Sequence, residues 1–242
     1  MYTRGGVWAA SKILIGLAVT SLGGCVYYQK GPPTAHFEEF STKPPKGDTV
    51  TVCHAYGCKE QTPFTFSPED IEELGLLMAS VKREDSPAEE RRAIAYAIGW
   101  MERRVAPTVG TANDRPNMDF FGSGVRGQQD CVDEATNTTS YLLVLQRNGL
   151  INHHLVERPF AKDSLNKWTH WAASIKEKAS NTQFAIDSSG SPNGENPTVQ
   201  VASSFYVPDS PGQYVPPERG LSVANTPAEP DNRLLSLVGR AR

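Results

Sequence analysis

The sequence has no apolar run long enough to cross a bilayer. Its most apolar early stretch, Ile13 to Val19, falls far short of the roughly 20 residues that a spanning helix needs. An excess of positive charge is also missing, because the 242 residues carry a formal net charge of −3. A chain without a basic excess lacks the electrostatic footprint of a nucleic-acid-binding protein, so we expect no nucleic-acid partner.

The N-terminal residues have the pattern of a secretory signal peptide. Arg4 and Lys12 precede the apolar stretch, which is the usual order of the basic and hydrophobic regions in such signals. The segment LGGC that follows, ending at Cys25, resembles a bacterial lipobox. The resemblance implies cleavage before Cys25 and acyl chains on its thiol, which would anchor the protein to a membrane. The alternative is an ordinary secretory signal that has a chance cysteine at its end.

The lipobox resemblance also implies a location. A lipid-anchored protein exported in this way faces the periplasm. Val26 follows Cys25 where some lipoproteins have aspartate, and this resembles outer-membrane sorting in enteric bacteria. We therefore expect the cell envelope, with the outer membrane favoured over the inner, and the membrane as a partner through the anchor.

Composition divides the rest of the chain into three regions after the signal peptide of residues 1–24. Residues 25–48 are rich in Pro, Lys, Thr and Gly and predict a flexible tether. Residues 49–206 are long enough for one domain with its own core. Residues 207–242 are rich in Pro and Asn and predict a disordered tail.

Only four cysteines are present, and the sequence predicts three different fates for them. If Cys25 carries lipid, Cys53 and Cys58 are the natural pair for a local disulfide in an oxidising compartment. One alternative is a zinc site from Cys53, His54 and Cys58, although no fourth ligand stands at a standard spacing. Another is a disulfide between Cys131 and one of the pair. The first pairing leaves Cys131 as the odd thiol, and no metal or cofactor is then expected.

Local signals predict helices and then strands, which indicates an α+β fold. Helices are predicted to begin after Ser67, Ser86 and Asp130, each of which can cap a helix N-terminus ahead of an apolar stripe. Strands are predicted over five short runs, of which the third and fourth form an antiparallel hairpin. These runs are residues 49–52, 151–156, 168–175, 183–188 and 198–206.

Three residues in the second half of the chain fit a thiol nucleophile, its base and the carboxylate that orients the base. Cys131 opens the third predicted helix, where the helix dipole favours a thiolate and backbone N–H groups can hold an oxyanion. His170 and Asp187 lie in successive predicted strands. Taken singly, each has a simpler explanation: a buried cysteine, a satisfied histidine and a turn aspartate. Carboxylates near Cys131 would oppose a thiolate unless they point away from it.

The order of these residues resembles the core of the transglutaminase-like cysteine enzymes. The resemblance covers DCVDEATNTTSYLLVLQRNGL, THW and AID, between about Gly127 and Gly190. It implies a papain-like α+β fold with a helical N-terminal part, in which the cysteine-bearing helix packs on a small antiparallel sheet. The residues that match the family pattern are Cys131, Asp133 or Glu134, Ala135, Leu150, His170, Trp171 and Asp187.

The same resemblance implies acyl transfer from an amide or peptide bond through a thioester. Cys131 would attack, His170 would move the proton and Asp187 would orient the imidazole. A Gln or Trp shortly before the cysteine completes the oxyanion hole in papain-like relatives, so Gln128 and Gln129 are both candidates. We expect a cysteine peptidase, amidase or acyltransferase with a protein or peptide substrate in the envelope. The alternative is an inactive lipoprotein that uses this scaffold as a binding or structural module.

Overall fold

The computed structural model describes residues 26–27, 31–117, 121–164 and 167–205. The predicted signal peptide, the predicted lipidation site Cys25 and the predicted tail of residues 207–242 lie outside the described residues. Within these ranges, no helix combines the length and the apolar character needed to cross a membrane.

The described chain is a mixed α and β structure. Its helices are α1 Thr34–Glu39, α2 Pro68–Val81, α3 Pro87–Val109, α4 Cys131–Arg147 and α5 Ala202–Phe205, with a 3-10 turn at Thr111–Asn113. Its strands are β1 Val26–Tyr27, β2 Thr49–His54, β3 Glu60–Thr65, β4 His154–Ser164, β5 Lys167–Glu177, β6 Gln183–Asp187 and β7 Thr198–Val201.

The strands form two antiparallel sheets. The larger has the order β1-β4-β5-β6-β7, and the smaller is the pair β2-β3. The predicted hairpin is present as β5 and β6, with Ala173 opposite Ile186. This register sets His170 and Asp187 diagonally across neighbouring strands, near the ends that face away from the hairpin turn.

Side-chain caps fix where the three long helices begin. The Ser67 hydroxyl accepts the N–H of Asp70, and the Asp70 carboxylate accepts the N–H of Ser67 in return. The Ser86 hydroxyl accepts the N–H of Glu89 in the same way. Asp130 caps α4 and closes a reciprocal capping box with Asp133. All three predicted helix starts are therefore confirmed.

The main hydrophobic core lies between the long helices and the two sheets. It is built from α2, α3 and α4 on one side and from the inward faces of β2, β5 and β6 on the other. Helix α4 packs against β2, β4, β5 and β6, so its N-terminus lies where both sheets can reach it. The largest side chains that are completely buried include Leu74, Ile94, Ile98, Met101, Tyr141, Leu142, Leu145 and Ile175.

The sequence predicts a flexible tether over residues 25–48, but in the structure residues 31–48 are packed against the domain. Helix α1 buries His36 and Phe37 completely. The His36 ring lies 5.3 Å from the Trp171 ring, and its Nε2 atom is 2.9 Å from the Thr136 hydroxyl on α4. A short aromatic cluster thus joins this polar segment to the domain. Phe40 completes it, with its ring 5.2 Å from that of Trp171.

The last predicted strand is also shorter than expected. It ends at Val201 rather than at residue 206, and Ala202–Phe205 form the short helix α5 instead. In this helix the Phe205 side chain packs against Phe160, Ala172 and Ala185 of the larger sheet in a small apolar cluster.

Candidate active site

Cys131 is the first residue of α4 and carries a free thiol that is only partly buried. The cap residue Asp130 accepts the N–H groups of Val132 and Asp133, at 3.1 Å and 3.0 Å. The N–H of Cys131 makes no hydrogen bond within the described part of the chain. This first-turn N–H is therefore the group that can donate to an anion formed beside the sulfur.

His170 and Asp187 form a direct pair. Nε2 of His170 lies 2.8 Å from Oδ2 of Asp187. The other carboxylate oxygen, Oδ1, accepts the Ser189 hydroxyl at 2.8 Å and the Ser189 N–H at 3.2 Å. Both oxygens of Asp187 are thus held, which fixes the orientation of the imidazole that they bind.

The thiol of Cys131 interacts electrostatically with the same imidazole. It donates to the carbonyl oxygen of Thr169, the residue before His170, at 3.6 Å from the sulfur. With Nε2 taken by Asp187, Nδ1 is the ring nitrogen left for the sulfur. The structure therefore brings His170 and Asp187 into direct contact and sets the Cys131 thiol against the backbone of Thr169, next to His170.

The electrostatics of the pair favour its charged form. Burial lowers the pKa of His170, but its hydrogen bond to Asp187 and its interaction with Cys131 outweigh burial and raise the pKa to about 10. Burial raises the pKa of Asp187, but the hydrogen bond and charge of His170 and the contacts with Ser189 lower it below its usual value. The pair is therefore imidazolium and carboxylate near neutral pH, and a cation beside a thiol favours a thiolate.

Phe205 is a site residue that the sequence interpretation missed. Its ring lies 5.5 Å from the His170 ring, with 31° between the planes, and only 3% of the residue is exposed. Lys162, which is paired with His170 across β4 and β5, has its Nζ atom 5.9 Å from the same aromatic ring. No local motif marks Phe205, because its role depends on α5 turning back over β5.

Gln128 and Gln129 are both buried just before α4, and their amides donate to backbone carbonyl oxygens elsewhere in the chain. The Gln128 amide donates to the carbonyl oxygen of Asn113 at 2.9 Å. The Gln129 amide is 3.4 Å from the carbonyl oxygen of Cys53. Each amide keeps a second hydrogen, so an oxyanion role for either residue stays a prediction. The Cys131 N–H is the better placed donor.

The two remaining cysteines are joined, as the preferred alternative predicted. Cys53 and Cys58 form a disulfide with 4.5 Å between their Cα atoms. The zinc hypothesis is wrong, because both sulfurs are in this bond and the His54 ring instead contacts the Thr62 hydroxyl at 3.0 Å. Pairing of Cys131 with either one is likewise wrong, since its thiol is free. We call residues 53–58 the disulfide loop.

In the sequence, Asp133 is one of the acids near Cys131 that would oppose a thiolate. In the structure its carboxyl group points away from Cys131. It accepts the N–H groups of Tyr56 at 2.8 Å and of Cys58 at 2.6 Å. Burial and the neighbouring charge of Asp130 raise the pKa of Asp133 to about 8. Within the described ranges, the one cluster of side chains close enough to share a metal ion is Cys53, Cys58 and Asp133. Its disulfide makes it unsuitable for a metal.

A second group of acids lies buried beside the triad. Burial, together with the charges of Glu102 and Asp114, raises the pKa of Glu134 well above its usual value. Burial also raises the pKa of Glu102 and that of Asp114 to about 7. Glu134 is therefore neutral at physiological pH and adds no negative charge against a thiolate.

No protein-family model, no curated protein and no solved structure matches this chain.

Proposed function

We propose that this chain is a lipid-anchored periplasmic enzyme that transfers acyl groups from amide or peptide bonds through Cys131. The observation that carries the proposal is the His170–Asp187 pair, 2.8 Å between nitrogen and oxygen, next to the one free thiol of the described residues. The position of that thiol at a helix N-terminus supports it further.

The reaction begins with an ion pair. His170 keeps a proton on each ring nitrogen, one shared with Asp187 and the other directed at the sulfur, and Cys131 attacks as the thiolate. The sulfur bonds to the carbonyl carbon, and the carbonyl oxygen becomes an oxyanion that the Cys131 N–H stabilises. His170 then gives its proton to the departing amine as the carbon–nitrogen bond breaks. A thioester on Cys131 remains.

The second half of the reaction resolves the thioester. His170, now neutral, takes a proton from water or from an amine as that nucleophile attacks the thioester carbonyl. The carbon–sulfur bond breaks, the thiolate re-forms and the imidazolium is restored. Water gives hydrolysis, as in a peptidase or amidase, and an amine gives cross-linking.

A transglutaminase-like core is the fold that best unites these features. In its support, a cysteine-bearing helix packs on an antiparallel sheet, and His and Asp follow on neighbouring strands of that sheet. The lipobox-like LGGC segment supports lipidation of Cys25, and Val26 supports the outer membrane. A protein or peptide of the cell envelope is the substrate class we propose.

The decisive experiment measures the alkylation rate of Cys131. The full-length chain is treated with iodoacetamide at pH 7, and the peptide that contains Cys131 is quantified by mass spectrometry. We expect His170→Ala to slow alkylation by about tenfold or more, because the cation beside the thiol is lost. The matched control is His153→Ala, which removes another His–Asp pair, with Nε2 2.8 Å from Asp85. A wild-type rate no higher than that of His170→Ala would overturn the proposal.

A further inference from the structure

The disulfide loop contains four consecutive residues with left-handed backbone. The φ angles of Ala55, Tyr56, Gly57 and Cys58 are 67°, 68°, 64° and 56°. Glycine adopts this region freely, but residues with a side chain rarely do. A run of this kind persists only where its surroundings enforce it, and such conformations cluster at functional sites. The Cys53–Cys58 bond is one restraint on the run.

The second restraint is the N-terminus of α4. Successive left-handed residues direct their N–H groups to one side, where they can hold an anion. Here the acceptors are the side-chain oxygens of the two acids of the α4 capping box. Tyr56 and Cys58 donate to the two oxygens of Asp133, at 2.8 Å and 2.6 Å. Gly57 donates to Oδ1 of Asp130 at 3.2 Å.

Both ends of the loop are fastened to the same helix. Cys58 is bound to Asp133, two residues after Cys131, as described above. At the other end, the Asn137 side chain forms a pair of hydrogen bonds with the backbone of Cys53. Its Oδ1 accepts the Cys53 N–H at 2.7 Å and its Nδ2 donates to the Cys53 carbonyl oxygen at 2.8 Å. The first two turns of α4 therefore cannot shift without moving the disulfide loop.

We propose that the disulfide loop and Asp133 form the device that positions Cys131 for attack, with Asp133 as a positioning residue that does not touch the substrate. This inference rests on the proposed function. The loop holds the first turn of α4, which carries both the sulfur and the N–H that receives the oxyanion. It also holds the Asp133 carboxyl group away from the sulfur, where the N–H groups of Tyr56 and Cys58 donate to it.

Two variants of the full-length chain test the device. The first replaces both loop cysteines, Cys53→Ser with Cys58→Ser, and the second is Asp133→Asn, whose amide cannot accept at both positions. We expect each to slow iodoacetamide alkylation of the Cys131 peptide at pH 7 by about fivefold and to move the midpoint of its pH profile upward. Thermal unfolding recorded in parallel shows whether each variant is folded.

The matched control acts on the other end of the same helix. Asp48→Asn weakens the contacts of Asp48 with Arg147 and Asn148, whose nitrogens lie 3.2 Å and 2.7 Å from its Oδ1. It should change the melting temperature while leaving the alkylation rate and its pH midpoint unchanged. If either main variant does not unfold cooperatively, Gly57→Ala is the milder test. Its φ of +64° strains a side chain, while the space around the new Cβ is open.

The outcomes separate this inference from the proposed function. If the loop variants alkylate at the wild-type rate while His170→Ala is slow, the positioning role is wrong and the enzyme proposal stands. If Asp48→Asn slows alkylation as much as Asp133→Asn does, general destabilisation explains the effect and the positioning role is again wrong. If the wild type is no faster than His170→Ala, the proposed function itself fails.

Discussion

The imidazole of His170 lies against the ring of Phe205, with 5.5 Å between their centroids. Phe205 is almost completely buried, and it belongs to α5 rather than to the strands that carry His170 and Asp187. The imidazole is therefore held by two different kinds of contact. Asp187 holds the edge of its ring through a hydrogen bond, and Phe205 packs against the ring.

Phe205→Leu should slow alkylation of Cys131 several-fold, because His170 loses the ring that restrains it. This change removes part of a buried ring and should cost about 1 to 2 kcal/mol of unfolding free energy. Phe66→Leu is the matched control, since Phe66 is buried in the main core, away from His170. It should cost a similar free energy and leave the alkylation rate unchanged. Equal rates in Phe205→Leu and the wild type would show that the ring contact has no role.

The His170–Asp187 pair should give the protein a specific pH dependence. The pKa of His170 rises from 6.5 to about 10 on folding, so its contribution to stability is full below pH 6.5 and is lost as pH rises towards 10. The pKa of Asp187 falls below 3.8, so its contribution is present above that pH and is lost in acid. The stability advantage of wild type over Asp187→Asn should therefore be greatest between about pH 4 and 6.5.

Denaturant unfolding at a series of pH values measures this advantage. We expect its pH-dependent part to be about 1 kcal/mol, because the His170 side chain is 35% exposed and solvent screens the pair. An advantage that grew between pH 6.5 and 10 would contradict the assigned charges.

Glu90 should be a major structural residue although it is far from any chemistry. It is completely buried and accepts the N–H groups of Asn152, His153 and His154 as well as Nδ1 of His154. Glu90→Gln replaces one acceptor oxygen with a donor facing these N–H groups, so it should cost about 3 kcal/mol in denaturant unfolding.

The control for Glu90→Gln is Glu157→Gln, which breaks a partly exposed pair with Lys176. This change should stay within about 0.5 kcal/mol of wild type. Comparable losses in the two variants would show that the buried contacts of Glu90 add nothing to stability. Both variants should keep the alkylation rate of Cys131.

The correction to the predicted tether can be tested in the same way. Phe37 is completely buried on α1, so Phe37→Ala should lower the unfolding free energy by about 3 kcal/mol. Phe121→Ala is the matched change at a residue that is 87% exposed, and it should have an effect below about 0.5 kcal/mol. If Phe37→Ala changed the unfolding free energy as little as Phe121→Ala, residues 31–48 would behave as the flexible tether that their composition predicts.

Local chemistry explains why much of the architecture was predictable. Ser67, Ser86 and Asp130 cap their helices through contacts within three residues, and such contacts can be recognised in sequence. The hairpin of β5 and β6 was recognisable in the same way, from two apolar runs around a polar turn. These elements carry Cys131, His170 and Asp187, so the sequence could predict that the three residues lie in one region.

The missed elements depend on contacts between distant parts of the chain. Strand β3 was not predicted, and it contains Pro63, a residue that is tolerated here because β3 pairs on one side only. Helix α1 is stabilised by Trp171, more than 130 residues later in the sequence. The ring contact between Phe205 and His170 also has no local signal. Propensity does not report contacts of this kind.

Strand β1 fixes the distance between the proposed lipidation site and His170. Val26 pairs with Lys162 on β4, and Lys162 pairs with His170 on β5, so two strand spacings, or about 10 Å, separate the backbone of Val26 from that of His170. Val26 is bonded to Cys25, the proposed acyl-bearing residue. A molecule anchored through Cys25 would therefore have almost no free chain between its lipid and the proposed active site. If the proposed function holds, such a molecule would act on bonds within a few nanometres of the bilayer and would not reach more distant ones.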